Sequence, residues 1–152
     1  MIFGFIGILS PRKKNLGSRL QIIAMRKNNL EGGISSFLLN SSLIQKIDLH
    51  TNNLSGQIPP LLMNSYASLE FLALTENSLS GEIPSSLGNL SSLVVLIAAE
   101  NQLTGGIPSS FGRLSNIHLL DLTYNNLSGT VPNSIYNLSL LTSLGIAGNG
   151  LV

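Results

Sequence analysis

The sequence predicts one α/β solenoid, a right-handed stack of short parallel strands linked by coils and brief helical turns. Two observations predict it. An asparagine recurs at Asn28, Asn52, Asn77, Asn101, Asn125 and Asn149, at steps of 24, 25, 24, 24 and 24 residues. Ahead of each stands an aliphatic pattern in constant register, as in Leu69, Leu72, Leu74 and in Ile117, Leu120, Leu122. A fixed period in this size range marks a repeat architecture, in which each unit cannot bury its apolar face alone and stacked units can.

Each element of the repeat has a physical reason. The aliphatic-x-aliphatic step has the period of a strand, so one set of side chains faces the core and the other faces out. The asparagine turns the chain out of the strand, and its side chain can satisfy backbone groups that the turn leaves unpaired. A leucine follows two residues later (Leu30, Leu54, Leu79, Leu103, Leu127, Leu151), then a glycine at Gly32, Gly56, Gly81, Gly105 and Gly129. Glycine permits a tight turn there. Ile-Pro or Val-Pro comes next in four repeats, and Ile34-Ser35 in the first. Proline fixes φ and keeps its predecessor out of the helical region, so the chain extends. Segments such as Ser85 to Leu90 supply one short helical turn, and Asn-, Gly-, Pro- and Ser-rich stretches are expected to fill loops. The single 25-residue step falls at Met63 to Ser68, where an extra residue fits an outward bulge.

Composition narrows the function. The 152 residues carry 8 Lys plus Arg against 7 Asp plus Glu, so no large net charge drives binding. A nucleic-acid binder shows a clustered basic stripe. The one basic cluster, Arg12, Lys13 and Lys14, reads as a solvated N-terminal segment. With 43% hydrophobic and 10% charged residues the chain lies far from the composition of disorder. No cysteine is present, which excludes disulfides, a thiolate nucleophile and a cysteine metal site. Met1 to Leu9 is apolar but short of the roughly 20 residues of a spanning helix. Its basic residues follow the apolar run, the wrong order for a secretory signal. Residues 1–15 therefore read as an apolar and basic N-terminal segment with a partial repeat. Residues 16–152 read as about six repeats, the last truncated after Leu151-Val152.

The segment Leu72 to Leu90 (LALTENSLSGEIPSSLGNL) resembles the plant-specific leucine-rich repeat. The segment Leu119 to Gly148 (LLDLTYNNLSGTVPNSIYNLSLLTSLGIAG) is similar to ectodomains of grass leucine-rich-repeat receptor-like kinases of the immune-receptor subfamily. The resemblance covers residues 16 to 152. It implies an extracellular solenoid on the plasma membrane that binds a peptide or protein ligand and a co-receptor. One membrane helix joins such a solenoid to a cytoplasmic Ser/Thr kinase. This chain departs from that pattern: it has no paired-cysteine cap, no membrane helix and no kinase, so it resembles a piece of a longer ectodomain. Membrane attachment is then expected only through a missing downstream segment. The alternative is a free-standing scaffold or inhibitor protein, intracellular or secreted.

The outward positions define the candidate binding face, the concave side of the sheet. The column before the second leucine reads Ile22, Lys46, Phe71, Val95, Leu119, Ser143; the next reads Ala24, Asp48, Ala73, Ile97, Asp121, Gly145. Two further columns are Arg26, His50, Thr75, Ala99, Thr123, Ala147 and Lys27, Thr51, Glu76, Glu100, Tyr124, Gly148. Phe71, Val95, Leu119 and Ile97 form an apolar stripe beside Tyr124. Such a patch marks a partner site; the plainer reading is lateral packing that stabilises the sheet. Glu76 and Glu100 share a column, and Asp121 lies nearby, so these three are assigned to ligand contact. As a glycosidase pair Glu76 and Glu100 fail, because an open sheet gives no water-excluding pocket. Asp48 and Asp121 are three strands apart, about 14 Å at about 4.8 Å per strand, too far for paired acid and base. His50 and His118 lie in different columns, so no metal is expected, nor any other cofactor or nucleic acid. Five Asn-x-Ser sequons, at Asn40, Asn53, Asn89, Asn126 and Asn137, would carry sugars in a secreted chain.

Overall fold

The computed structural model describes residues 20–34, 43–60 and 68–152. The N-terminal segment with Arg12, Lys13 and Lys14, the sequon at Asn40, Ser35, and all of the expected bulge except Ser68 lie outside the described residues. Chain order runs β1 (Ile22–Ala24), β2 (Glu31–Gly32), β3 (Lys46–Asp48), β4 (Asn53–Gly56), β5 (Phe71–Ala73) and β6 (Ser78–Glu82). It continues with β7 (Val95–Ile97), β8 (Gln102–Gly105), β9 (Leu119–Asp121), β10 (Asn126–Gly129), β11 (Ser143–Gly145) and β12 (Gly150–Leu151). The odd-numbered strands form one parallel sheet in strict chain order. Each coil therefore stacks directly on the preceding one, which is the leucine-rich-repeat solenoid. In the middle of each strand the aliphatic side chain points inward: Ile23, Ile47, Leu72, Leu96 and Leu120 are all buried in one continuous core.

The asparagines form a ladder between coils. Asn101 Nδ2 donates to Leu74 O of the preceding repeat at 3.0 Å and to Ala98 O and Ala99 O of its own, at 3.3 and 3.0 Å. Its Oδ1 accepts from Leu79 N at 3.0 Å. Asn52, Asn77, Asn125 and Asn149 make the same four contacts one repeat apart. Among the described residues the Asn28 side chain bonds only within its own turn, to Met25 O and Arg26 O. One amide thus joins three backbone segments that would otherwise be left unpaired inside the stack.

The even-numbered strands form a second parallel sheet, which the loop expectation missed. Its physical cause was visible in Asn-x-Leu-x-Gly. Leu54, Leu79, Leu103 and Leu127 point inward and their neighbours outward, a period of two. The stack places these segments side by side, so their amides pair across repeats, as Ser80 with Gln102 and Gly81 with Leu103.

Among the described residues the far side of the coils carries three 3-10 turns, Ser85–Asn89, Ser109–Arg113 and Asn133–Asn137, each entered from a proline in extended conformation. They bury Leu87, Phe111 and Ile135 respectively. Gly88 lets two of them touch: a Cβ there would meet the Ser110 carbonyl oxygen, a backbone atom. Gly88→Ala should therefore destabilise by about 1–3 kcal/mol in a denaturant titration, because the backbone of the next coil must shift. Gly33→Ala is the control. Its Cβ would meet only Ser55 O at 3.7 Å, and equal midpoints for the two variants would rule out close packing on this side. The same column holds Gly112 in the next repeat and Tyr136 in the one after, and Tyr136 stands 71% exposed.

Candidate functional site

The outer face of the first sheet is the candidate site. Sheet pairing puts Lys46, Phe71, Val95, Leu119 and Ser143 side by side, and Asp48, Ala73, Ile97, Asp121 and Gly145 in the next row. Phe71, Val95, Ile97 and Leu119 are half-buried, because each leans on its neighbour across a strand gap. Tyr124 is 65% exposed. Its ring lies over Gly148, where a Cβ would collide with Tyr124 Cδ1. The missing side chain at Gly148 is what lets the ring settle on the neighbouring repeat.

The row that ends each strand has a feature that sequence reading did not detect. Lys27, Thr51, Glu76, Glu100 and Tyr124 all hold φ between 52° and 55°. Left-handed backbone costs a non-glycine residue about 1–2 kcal/mol. The stack compels it here. Glu100 N donates to Thr123 O at 2.9 Å, and Glu100 O accepts from Asn77 N at 3.3 Å. Backbone pairing thus continues through the turn, and the side chains of this row stand along the rim of the face. The one available signal was Gly148, which occupies the same position at φ 68°. Glu76 and Glu100 are exposed on this rim. Glu76 Oε2 accepts from Thr51 Oγ1 at 2.9 Å.

The outward position expected for Asp48 is corrected by its surroundings: it is 3% exposed. His50 Nδ1 lies 2.6 Å from Asp48 Oδ1, and Lys46 Nζ lies 4.0 Å from Asp48 Oδ2. Lys46 Nζ also sits 4.3 Å over the Phe71 ring. Two basic side chains close over the carboxylate, so a long neighbour can bury an outward residue. Asp121, in the same row, has no such cover. Its Oδ1 accepts from Thr123 N and Thr123 Oγ1, at 3.0 and 2.8 Å.

The described sequons lie away from this face. Asn53 and Asn126 are exposed on the second sheet, and Asn89 and Asn137 are exposed at the ends of 3-10 turns. Asn89 Oδ1 accepts from Arg113 Nη2 at 2.8 Å. An open groove of about 450 Å³ beside the second sheet is lined by Gln57, Ile58, Glu82, Pro84 and Thr104 among others. It is too open to exclude water from a reaction. Among the described residues no group of three or more His, Cys, Asp or Glu could hold a metal ion, and no helix is long and apolar enough to cross a membrane.

Known proteins with this architecture can be named. A family described as leucine rich repeat matches residues 99–151, and a second of the same description matches residues 43–65 and 68–90. No curated protein sequence matches the chain. Among solved structures, the chain is 38% identical to the plant peptide hormone receptor RGFR1 in complex with RGF2. That match has a TM-score of 0.84 and covers 87% of this chain and 21% of that one. It is 30% identical to the Arabidopsis receptor kinase HAESA, solved with the peptide hormone IDA and the co-receptor SERK1, with a TM-score of 0.84 over 88% of this chain and 22% of that one. It is 32% identical to a chain of the BIR3–SERK2 complex from Arabidopsis thaliana, with a TM-score of 0.80 over 91% of this chain and 73% of that one. The chain thus spans about a fifth of the first two relatives and most of the third. Stacked coils, the asparagine ladder, the second sheet and these matches agree: the chain belongs to the leucine-rich-repeat family, of the kind that forms plant receptor-kinase ectodomains.

Proposed function

We propose that the chain is a ligand-recognition module from the ectodomain of a plant receptor-like Ser/Thr kinase, on the extracellular side of the plasma membrane. A peptide or protein ligand, together with a co-receptor, docks on the outer face of the first sheet. The observation that carries this reading is the row Phe71, Val95 and Leu119, with Ile97 and Tyr124 beside it: apolar and aromatic side chains left partly open on a continuous sheet. Exposed apolar patches on such a surface are partner sites, and aromatic anchors carry much of interface energy. The relatives support the partner class, since RGFR1 was solved with RGF2 and HAESA with a peptide hormone and a co-receptor. The role is binding and not catalysis, because Glu76 and Glu100 stand on an open rim. The exposed sequons Asn53, Asn89, Asn126 and Asn137 would carry sugars on surfaces other than the docking face.

Sequencing the natural transcript beyond the Val152 codon tests the assignment. In-frame codons for about 20 apolar residues and then a kinase domain are expected. A stop codon there in every transcript, with the protein found in the cytosol, would replace the receptor with the intracellular scaffold.

A further inference from the structure

Charge is distributed very unevenly along the chain. Seven of the eight Lys and Arg lie within residues 1–46, whereas six of the seven Asp and Glu lie within residues 47–152. The one Lys or Arg in that later stretch is Arg113, which is on a 3-10 turn and bonds Asn89. On the docking face the basic residues Arg26, Lys27 and Lys46 therefore precede Glu76, Glu100 and Asp121.

At the Lys46 end the face satisfies its own carboxylate. The Lys46 ammonium sits near Asp48 Oδ2 and over the Phe71 ring. Three strands further on, the Lys46 position is taken by Leu119 and the Asp48 position by Asp121. Among the described residues the Asp121 carboxylate accepts only from its neighbour Thr123, and Glu100 forms no side-chain hydrogen bond or ion pair. The aromatic ring at this end is Tyr124, exposed beside Glu100. Carboxylates and an aromatic ring are thus present without the cation that accompanies them at the other end. Between the apolar row and the acidic rim the floor is low, with Ala73 and Ala99 both buried. Rim and row are about five residues apart along the chain, on the order of 15 Å at about 3.3 Å per residue, enough for one extended peptide.

We propose that the occupant of this face is an extended peptide in which Lys or Arg side chains alternate with apolar ones. The apolar side chains lie on Val95, Leu119 and Ile97, and the cationic ones reach Glu76, Glu100 and Asp121 and stack on Tyr124. This rests on the docking reading above and adds the chemistry of the ligand. Carboxylates with no cation paired to them, beside an apolar row, favour a cationic partner and reject an acidic one by like-charge repulsion.

The test uses the full chain and three fluorescent synthetic peptides of equal length, alternating Leu with Arg, Ser or Glu, titrated by polarisation. The Leu–Arg peptide should bind at least about tenfold more tightly than the Leu–Ser one, and the Leu–Glu peptide least. The double variant Glu76→Gln, Glu100→Gln should remove most of that preference, and added salt should weaken it. Leu119→Arg should abolish binding of all three. Equal affinity for the three peptides, all lost in Leu119→Arg, would overturn the cationic ligand and leave the docking face intact. No binding by any peptide, or binding indifferent to Leu119→Arg, would overturn both.

Discussion

Phe111→Ala is expected to destabilise the protein by about 3–5 kcal/mol, the usual cost of truncating a buried phenylalanine. Phe111 is fully buried and is the largest fully buried side chain among the described residues. It enters from the 3-10 turn Ser109–Arg113, opposite the first sheet, where the equivalent positions hold Leu87 and Ile135. The ring therefore fills the width of its coil from the far side. Removing it leaves a void that the coil cannot close, because the neighbouring 3-10 turns are already held at contact through Gly88 and Gly112. In a solenoid each repeat touches only its neighbours, so a weak coil in the middle uncouples the two ends. The denaturation curve should shift to a lower midpoint and broaden. A loss below about 1 kcal/mol would show that the 3-10 side is a loose surface and not part of the core.

Asn101→Ala is expected to cost about 2–3 kcal/mol, although it removes no apolar volume of note. The amide is 9% exposed and serves Leu74 O, Ala98 O, Ala99 O and Leu79 N. Alanine leaves the Leu79 N–H stranded inside the stack, where water cannot replace its acceptor. Asn28→Ala should cost about 1 kcal/mol or less, since Asn28 is exposed and its described side-chain bonds close on its own turn. Equal losses for the two variants would show that the asparagines act as local turn formers only and do not join one coil to the next.

The strand register was legible because one face of each strand is buried, and a slip by one residue would expose every core leucine. The pairing of Phe71 with Val95 and Leu119 followed from that constraint. The second sheet was less legible. Asn-x-Leu-x-Gly contains the signal, but serine and glycine at the outward positions read as turn residues. The left-handed rim at Glu76, Glu100 and Tyr124 could not be read from those residues themselves, and Gly148 alone in the column signalled it. Those residues avoid positive φ when free, and the pairing of successive coils imposes it. The burial of Asp48 also escaped the sequence, because it depends on where the long side chains of Lys46 and His50 fold, not on the register of the strand.

The docking face can be tested with no knowledge of the natural ligand. Peptides selected from a random displayed library on the wild-type chain are titrated against Leu119→Arg, Val95→Arg and Tyr136→Arg. Leu119 and Val95 lie on the outer face of the first sheet, and Tyr136 lies exposed on a 3-10 turn on the other side. The selected peptides should lose binding to Leu119→Arg and Val95→Arg and keep it on Tyr136→Arg. Peptides that bind the first two variants undiminished and fail on Tyr136→Arg would move the recognition surface to the opposite side of the solenoid.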